Sequence, residues 1–267
     1  MTIIELTNVS KQYVHGVPVL RDLSLAVHRG TVLGFLGLNG AGKTTTIRIL
    51  AGLARPDAGT VRLFGREISP SDRGHLAHMG FVLDEPLFFE WMTAEEYLAF
   101  VGAMVGLDAG VARDRTAELL EFFELGGKAG ETISTYSTGM KKKVSLAAAI
   151  IHRPRLIILD EPLEGIDAVS ASAIKETLTM MAARGATVFI TSHVLDTVER
   201  LCTEVAILHQ GNVLLHSPIG EVHARARQIL GEREFQSLEH LFVELVSNEL
   251  RRKRLSFLDG GETGDGD

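Results

Sequence analysis

The sequence predicts an α/β fold built on a mostly parallel sheet, with an antiparallel β side sheet and an inserted helical subdomain. Short apolar, β-branched runs at residues 31–36, 156–159 and 187–190 alternate with longer segments of helical period. Strands that helices cover on both faces have such continuous apolar runs. The chain has 267 residues and is 45% hydrophobic, so it can bury one large core with a subdomain.

The side sheet is predicted from three early segments, at residues 3–6, 23–27 and 61–64. The turns that follow these segments, such as the one at His15 and Gly16, are too short for crossover helices. Antiparallel pairing is therefore expected.

The pattern changes to helix at about residues 93–126, which predicts a helical subdomain at about 88–150 inside a domain that spans 1–216. We expect a C-terminal helical extension at 217–257 and a disordered acidic tail at 258–267, which is rich in glycine and acids. Apolar residues at helical spacing predict that an amphipathic helix of this extension packs on its own chain: Phe235, Leu238, Leu241, Phe242, Leu245 and Val246.

Charge and hydropathy limit the classes of function. A formal net charge of -7 argues against a general affinity for nucleic acid. The longest nearly uncharged stretch, around residues 98–107, is shorter than the ~20 residues that cross a bilayer, and the N-terminus has no signal-peptide pattern. We therefore expect the chain to stay in the cytosol. The single cysteine, Cys202, lies in an apolar context and is expected to be a buried structural thiol.

A phosphate-binding loop is predicted directly after the apolar run at 31–36. The chain continues with Gly37-Leu38-Asn39-Gly40-Ala41-Gly42-Lys43-Thr44-Thr45 and then with a helical pattern. This is a P-loop in its strand, loop and helix context. The backbone amides and the helix N-terminus bind phosphate oxygens, Lys43 neutralises the β and γ phosphates, and Thr44 binds Mg²⁺. A glycine-rich turn without a ligand is the alternative, and the flanking strand and helix argue against it. The expected nucleotide-binding residues are Gly37, Asn39, Gly40, Ala41, Gly42, Lys43, Thr44 and Thr45.

Two acids end the apolar run at 156–159. Ligands bind beyond the carboxyl ends of parallel strands, so Asp160 and Glu161 are expected beside the phosphate-binding loop. Asp160 suits the coordination shell of Mg²⁺, and Glu161 suits polarisation of the attacking water. His193 follows the run at 187–190 and is placed to donate a hydrogen bond to the γ-phosphate.

The segment Tyr136-Ser137-Thr138-Gly139-Met140 lies directly before a predicted helix, with Ser137 at 160 - 137 = 23 residues before Asp160. With this motif the chain resembles the ATP-binding cassette family over residues 1 to about 215, about four-fifths of its length. The resemblance implies that Ser137 and Gly139 bind the ATP of a second cassette, identical or paralogous, in a head-to-tail dimer that encloses two ATP molecules. An ordinary helix N-cap at Ser137 remains the alternative.

The resemblance also implies that Tyr13 stacks on adenine, that Asp167 belongs to the D-loop and that His193 is the switch histidine. Two positions depart from the family pattern. Thr138 replaces a glycine, and the Tyr-Ser-x-Gly-Met form looks like that of single-cassette exporter subunits. Asp84 stands where a glutamine is expected; its carboxylate could touch Mg²⁺ but adds negative charge near the γ-phosphate.

The function implied is that of an ATP-hydrolysing motor, with ATP and Mg²⁺ as cofactors, that drives export through a separate membrane-spanning permease. The subunit would then lie on the cytoplasmic face of the cell membrane. A soluble ATPase of this family that acts on a macromolecular complex is the alternative, but the long coiled coil of chromosome-acting members is not predicted here. A nucleotide sensor without catalysis is a third alternative. The presence of Lys43, Asp160, Glu161 and His193 argues against it.

Overall fold

The computed structural model describes residues 1–68, 73–231 and 235–252, without the side chains of 249–252. In chain order the strands of this part are β1 (Thr2–Val14), β2 (Val17–His28), β3 (Val32–Gly37), β4 (Ala58–Leu63), β5 (Arg66–Glu67), β6 (Met79–Val82), β7 (Leu156–Asp160), β8 (Thr187–Ser192), β9 (Glu204–His209) and β10 (Asn212–Pro218). The helices are α1 (Lys43–Leu50), α2 (Ala94–Met104), α3 (Ala109–Phe122), α4 (Thr138–Ile150), α5 (Ala168–Ala183), α6 (Leu195–Leu201), α7 (Val222–Leu230) and α8 (Leu238–Arg252).

The core sheet has the strand order β10-β9-β3-β8-β7-β6. Its strands pair in parallel from β9 to β6, and β10 is antiparallel to β9. Every residue of β3 and β8 is buried. Alternate side chains of these strands point into different apolar clusters: Phe35 packs towards the side sheet and α1, whereas Leu36 packs towards the helices on the other face. Burial on both faces explains the continuous apolar runs, and the prediction of a mostly parallel sheet is confirmed.

The side sheet has the order β2-β1-β4-β5, and its strands pair antiparallel, as predicted. The strands β1 and β2 are much longer than the segments at 3–6 and 23–27 that predicted them. Their extra length forms the exposed end of the hairpin around Gly16, where Tyr13, Val14 and Val17 point their side chains into solvent while the strands stay paired. Hydrophobic pattern therefore marked only the buried parts of these strands.

The predicted helical insertion forms α2 and α3 between β6 and β7. Thr93 begins α2 with a capping box, in which its side chain accepts from the Glu96 amide while the Glu96 carboxylate accepts from the Thr93 amide. The chain then returns to the core through α4, which packs against both α2 and β6. The helical segment is thus joined closely to the core sheet.

The amphipathic pattern near the C-terminus forms α8, which packs on α6 and α7 of the same chain. Its apolar face is buried in the larger core cluster and comprises Leu238, Leu241, Phe242, Leu245 and Val246. The tail expected at 258–267 and the end of the extension from 253 lie outside the described residues. Among the described residues, none of the helices combines the length and the apolarity that crossing a bilayer requires.

Cys202 is buried at the end of α6, as expected, and burial raises the pKa of its thiol to about 12. The neighbouring position in β3 must be a glycine, because a Cβ on Gly34 would lie 2.4 Å from Val198 Cγ1 and 3.1 Å from Cys202 Sγ. This close approach seats α6 against β3 directly behind the strand that leads into the P-loop.

Candidate functional site

A cavity of about 800 Å³ opens where β3, β7 and β8 end. Cavities of this size are ordinary for small-molecule ligands, and this edge of a parallel sheet is where such ligands bind. Eight of the residues predicted from the sequence line it: Gly37, Asn39, Lys43, Thr44, Asp84, Asp160, Glu161 and His193.

The P-loop connects the end of β3 to the start of α1. Gly40 and Gly42 have positive φ angles of 78° and 114°, and the chain turns sharply at these two glycines. Gly37 admits no side chain, since a Cβ there would lie 2.7 Å from the Leu208 carbonyl oxygen. Lys43 is buried and its Nζ donates to the Gly37 carbonyl oxygen at 2.7 Å, so its ammonium lies across the loop. An ammonium and a helix N-terminus thus face the same cavity, as anion binding requires.

Two acids at the end of β7 are held by residues of β8. Thr191 Oγ1 donates to Asp160 Oδ1 at 2.6 Å and accepts from the Glu161 amide at 3.1 Å. The backbone of Glu161 has a φ of 45°, a conformation that strains a residue with a side chain. Such strain persists where surrounding contacts hold the residue in place. The backbone conformation that these contacts maintain sets the direction of the Glu161 carboxylate.

His193, in the loop after β8, contacts Glu161 in the loop after β7. Its backbone amide donates to Glu161 Oε2 at 3.2 Å, and its Nδ1 lies 3.0 Å from the same oxygen. The imidazole itself is half exposed, whereas the Glu161 side chain is largely buried. The structure therefore places a carboxylate, oriented by a histidine, in the cavity that Lys43 also lines.

The sequence-based reasoning missed several residues of this region. Lys142 on α4 is 3% exposed, and its Nζ donates to the carbonyl oxygens of Glu161 at 2.9 Å and Glu164 at 2.8 Å. It also lies 3.8 Å from Asp84 Oδ1. The sequence offered one signal for Lys142, which is the middle of three consecutive lysines in a helix that is otherwise mostly apolar. Phe242 of α8 also lines the cavity, and nothing local in the sequence marks that long-range contact.

Side chains of the cavity form two groups of possible ligands for a cation. Thr44, Asp160 and Asp84, the predicted set, all line it. In addition, ligand atoms of Glu161, Glu164 and His193 lie within 4.8 Å of one another. Hydroxyl and carboxylate oxygens are the ligands that Mg²⁺ prefers, so the predicted set fits that ion better than the group with an imidazole.

Other predicted residues lie outside this cavity. Tyr13 is exposed in the side sheet, where the Lys11 ammonium lies 5.5 Å from its ring centroid. Gly40, Ala41, Gly42 and Thr45 belong to the P-loop or to the start of α1 without lining the cavity.

Ser137 and Asp167 cap neighbouring helices. Ser137 accepts from the Met140 amide at the start of α4, and Asp167 accepts from the Ser170 amide at the start of α5. Hydrogen bonds from the amide and hydroxyl of Ser170 hold the pKa of Asp167 below its usual range. A Cβ on Gly139 would lie 3.1 Å from Asp167 Oδ2, so the two helix starts adjoin.

Thr138, the β-branched departure from the family pattern, is the first residue of α4 and lies outside the positive-φ positions. A threonine therefore meets no backbone strain there, and the glycine usual in the family is not needed for the conformation seen in this chain.

Comparisons with known proteins agree on one family. The family model described as ABC transporter matches residues 20–164. The bacitracin transport ATP-binding protein BcrA of Enterococcus faecalis is 36% identical over 227 residues, which cover 85% of this chain and 72% of that protein. The linearmycin resistance ATP-binding protein LnrL of Bacillus subtilis strain 168 is 37% identical over 211 residues, which cover 79% of this chain and 68% of that protein.

A solved structure, described as the ATP binding subunit of an ABC transporter, has a TM-score of 0.83 and 32% sequence identity. The match covers 91% of this chain and 99% of that one. The resemblance therefore extends through the whole arrangement of sheets and helices.

Proposed function

The chain belongs to the ABC transporter family, and on that premise we propose that it is the motor subunit that powers export through a separate membrane-spanning permease. As a member of this family it binds and hydrolyses ATP. Relatives named for bacitracin transport and linearmycin resistance support export as the direction. The observation that carries the proposal is the Glu161 carboxylate, bonded to His193 in the cavity that Lys43 lines.

In this proposal Lys43 and the first amides of α1 bind the β and γ phosphates of ATP. Glu161 polarises the water that attacks the γ-phosphate, because its carboxylate is aimed into the cavity by a strained backbone and by His193. His193 keeps that carboxylate in position and offers its exposed ring edge as a donor to the γ-phosphate. The chemistry needs positioning and charge stabilisation rather than a covalent intermediate.

Thr44, Asp160 and Asp84 would hold Mg²⁺, since they bring hard oxygen ligands to one cavity. Thr191 orients Asp160 through Oδ1, so Oδ2 is the oxygen offered to an ion. The bound ion supplies positive charge that neutralises the β and γ oxygens during transfer.

We further propose that two cassettes, of this chain or of a paralogue, associate head to tail around two ATP molecules. Ser137 and Gly139 lie at the N-terminus of α4, outside the cavity of their own subunit, which suits binding the γ-phosphate of the second one. Asp167 at the adjoining start of α5 would lie at the same interface, and Tyr13 would stack on the adenine.

The permease would dock on an apolar patch formed by Phe89, Trp91 and Phe100, together with Leu87 shortly before them in the sequence. Leu87 is 81% exposed and Trp91 is 70% exposed, while the Phe89 ring lies 6.0 Å from that of Trp91 and 5.5 Å from that of Phe100. Contiguous exposed apolar side chains mark interaction sites. The patch begins a few residues after Asp84, so a partner seated on it can respond to the state of the cavity. This docking would hold the subunit on the cytoplasmic face of the membrane.

Replacing Phe89 and Trp91 together by alanine should release the cassette from membranes, because docking loses its central aromatic anchors. We expect recovery in the membrane fraction of native cells to fall by about tenfold or more. Leu53→Ala is the matched control, since Leu53 is 73% exposed and lies outside the patch. Membrane recovery equal to that of the wild type in the double variant would contradict the proposed docking surface, and a cassette found only with soluble partners would favour the macromolecular-complex alternative.

A further inference from the structure

We propose that Lys142 is a positioning residue for ATP hydrolysis, whose buried ammonium holds the loop that carries Glu161 while Asp84 balances its charge. The inference rests on the proposed role of Glu161. It concerns a residue of α4 that lies outside the P-loop and outside the acids at the end of β7.

The burial of Lys142 requires a specific reason. Lysine is almost never fully buried unless it is paired, because an ammonium loses its hydration in the interior. Its three donor protons face three oxygen atoms: the carbonyls of Glu161 and Glu164, at 2.9 and 2.8 Å, and Asp84 Oδ1 at 3.8 Å. The first two contacts are hydrogen bonds and the third is an ion pair. Lys141, on one side of Lys142, instead pairs with Glu90 at 2.6 Å, so its ammonium is directed away from the loop that carries Glu161.

The carbonyl contact holds a residue whose backbone is strained. The Glu161 amide donates to Thr191 Oγ1, the Glu161 carbonyl accepts from Lys142, and the Glu161 carboxylate accepts from His193. These contacts come from different elements, β8 and its following loop on one side and α4 on the other. A positive φ of 45° persists only when the surroundings determine it, and Lys142 supplies the contact on the carbonyl side. Without it, the loop can relax to a commoner conformation, which turns the carboxylate away from its productive direction.

Asp84 completes the arrangement from the loop after β6. Its side chain is 51% exposed at the edge of the cavity, while Lys142 approaches from the buried side. A carboxylate beside a phosphate-binding loop would by itself repel the nucleotide, and the nearby ammonium offsets that charge. The pair therefore accounts for an aspartate at the position where the family resemblance leads to a glutamine.

The test is steady-state ATPase kinetics and equilibrium binding of a fluorescent ATP analogue, measured on the full chain. For Lys142→Met we expect kcat to fall by about tenfold or more, with KM and nucleotide affinity within about twofold of the wild type, because the loop moves while the P-loop stays intact. Lys142→Arg, which keeps the charge and the donors, should recover part of the loss. Lys128→Met, which removes an exposed lysine paired with Glu131 at 3.0 Å, should keep the wild-type kcat.

A double-mutant cycle tests the charge balance. Asp84→Asn alone should lower kcat by a smaller factor than Lys142→Met, because its amide oxygen can still serve as a ligand for Mg²⁺ and because a half-exposed pair is screened by solvent. The double variant should lose less than the product of the two single losses, since both substitutions remove the ion pair between Lys142 and Asp84 and that shared loss is counted once. If Lys142→Met does not fold, Lys142→Gln takes its place in the cycle, because its amide still donates to one carbonyl.

A wild-type kcat in Lys142→Met would overturn the inference, as would losses that multiply in the double variant. Equal losses of kcat and nucleotide affinity would also overturn it, because they indicate a general structural role. Glu161→Gln in the same assay separates this inference from the proposed function. If Glu161→Gln turns over normally, the role of Glu161 fails; if it is inactive while Lys142→Met is active, only the role of Lys142 fails.

Discussion

Replacing Glu161 by glutamine is expected to leave ATP binding intact while lowering the turnover number by about 10² to 10⁴-fold, the usual contribution of a general base. The amide has the shape of the carboxylate and can still accept the hydrogen bond from the His193 amide. It cannot, however, polarise the attacking water. The P-loop, which binds the phosphates, should be unaffected because Lys43 is held by the Gly37 carbonyl oxygen, whereas the Glu161 carboxylate is held by His193.

Three measurements on Glu161→Gln check this expectation: the ATPase rate, the affinity for a fluorescent ATP analogue, and the mass of the particle by light scattering in MgATP. We expect a dimer that persists in MgATP, because the closed state is no longer opened by hydrolysis. Glu176→Gln is the matched control, since Glu176 is an exposed acid on α5 away from the cavity. Normal turnover in Glu161→Gln would remove Glu161 from its role.

Replacing Lys43 by alanine should abolish most nucleotide binding. Hydrogen bonds between charged groups contribute about 1.5 to 3 kcal/mol each, so the loss of the ammonium corresponds to an affinity lower by about tenfold to more than a hundredfold. The buried position of Lys43 and its bond to the Gly37 carbonyl hold the ammonium across the loop, so a neighbouring lysine cannot substitute for it.

Isothermal titration of ATP into Lys43→Ala measures this loss directly. Lys128→Ala serves as the control for the removal of one positive charge, and circular dichroism verifies that both variants are folded. An affinity close to that of the wild type would show that the P-loop amides alone bind the phosphates.

The core of the fold could be predicted from the sequence because hydrophobic pattern reports burial. The strands β3 and β8 are buried at every residue, and both appeared as continuous apolar runs. The hairpin of β1 and β2 extends well beyond its predicted segments, since the pairing of exposed residues does not require the hydrophobic pattern that marks buried strands. The domain limits at 1–216 and 217–257 stay predictions.

The site was predictable where short motifs directly follow strands of the parallel sheet. Lys43 and Thr44 follow a strand, and Glu161 follows another, so their meeting at one edge of the sheet follows from topology. Lys142 was missed because its contacts with Glu161 and Asp84 depend on how α4 packs beside the core sheet, which no local motif marks. The roles of Tyr13, Ser137 and Asp167 rest on the family resemblance, and each residue also has an ordinary structural contact in its own chain.

The central claim, that this cassette powers a separate membrane permease, is tested most directly by identifying its partners. Tagged Glu161→Gln would be expressed in native cells, purified in MgATP and analysed by mass spectrometry. We expect a polytopic membrane protein to co-purify, and we expect the Phe89 and Trp91 double alanine substitution, made in the same background, to lose it. Recovery of soluble partners alone, with the cassette absent from the membrane fraction, would contradict the account.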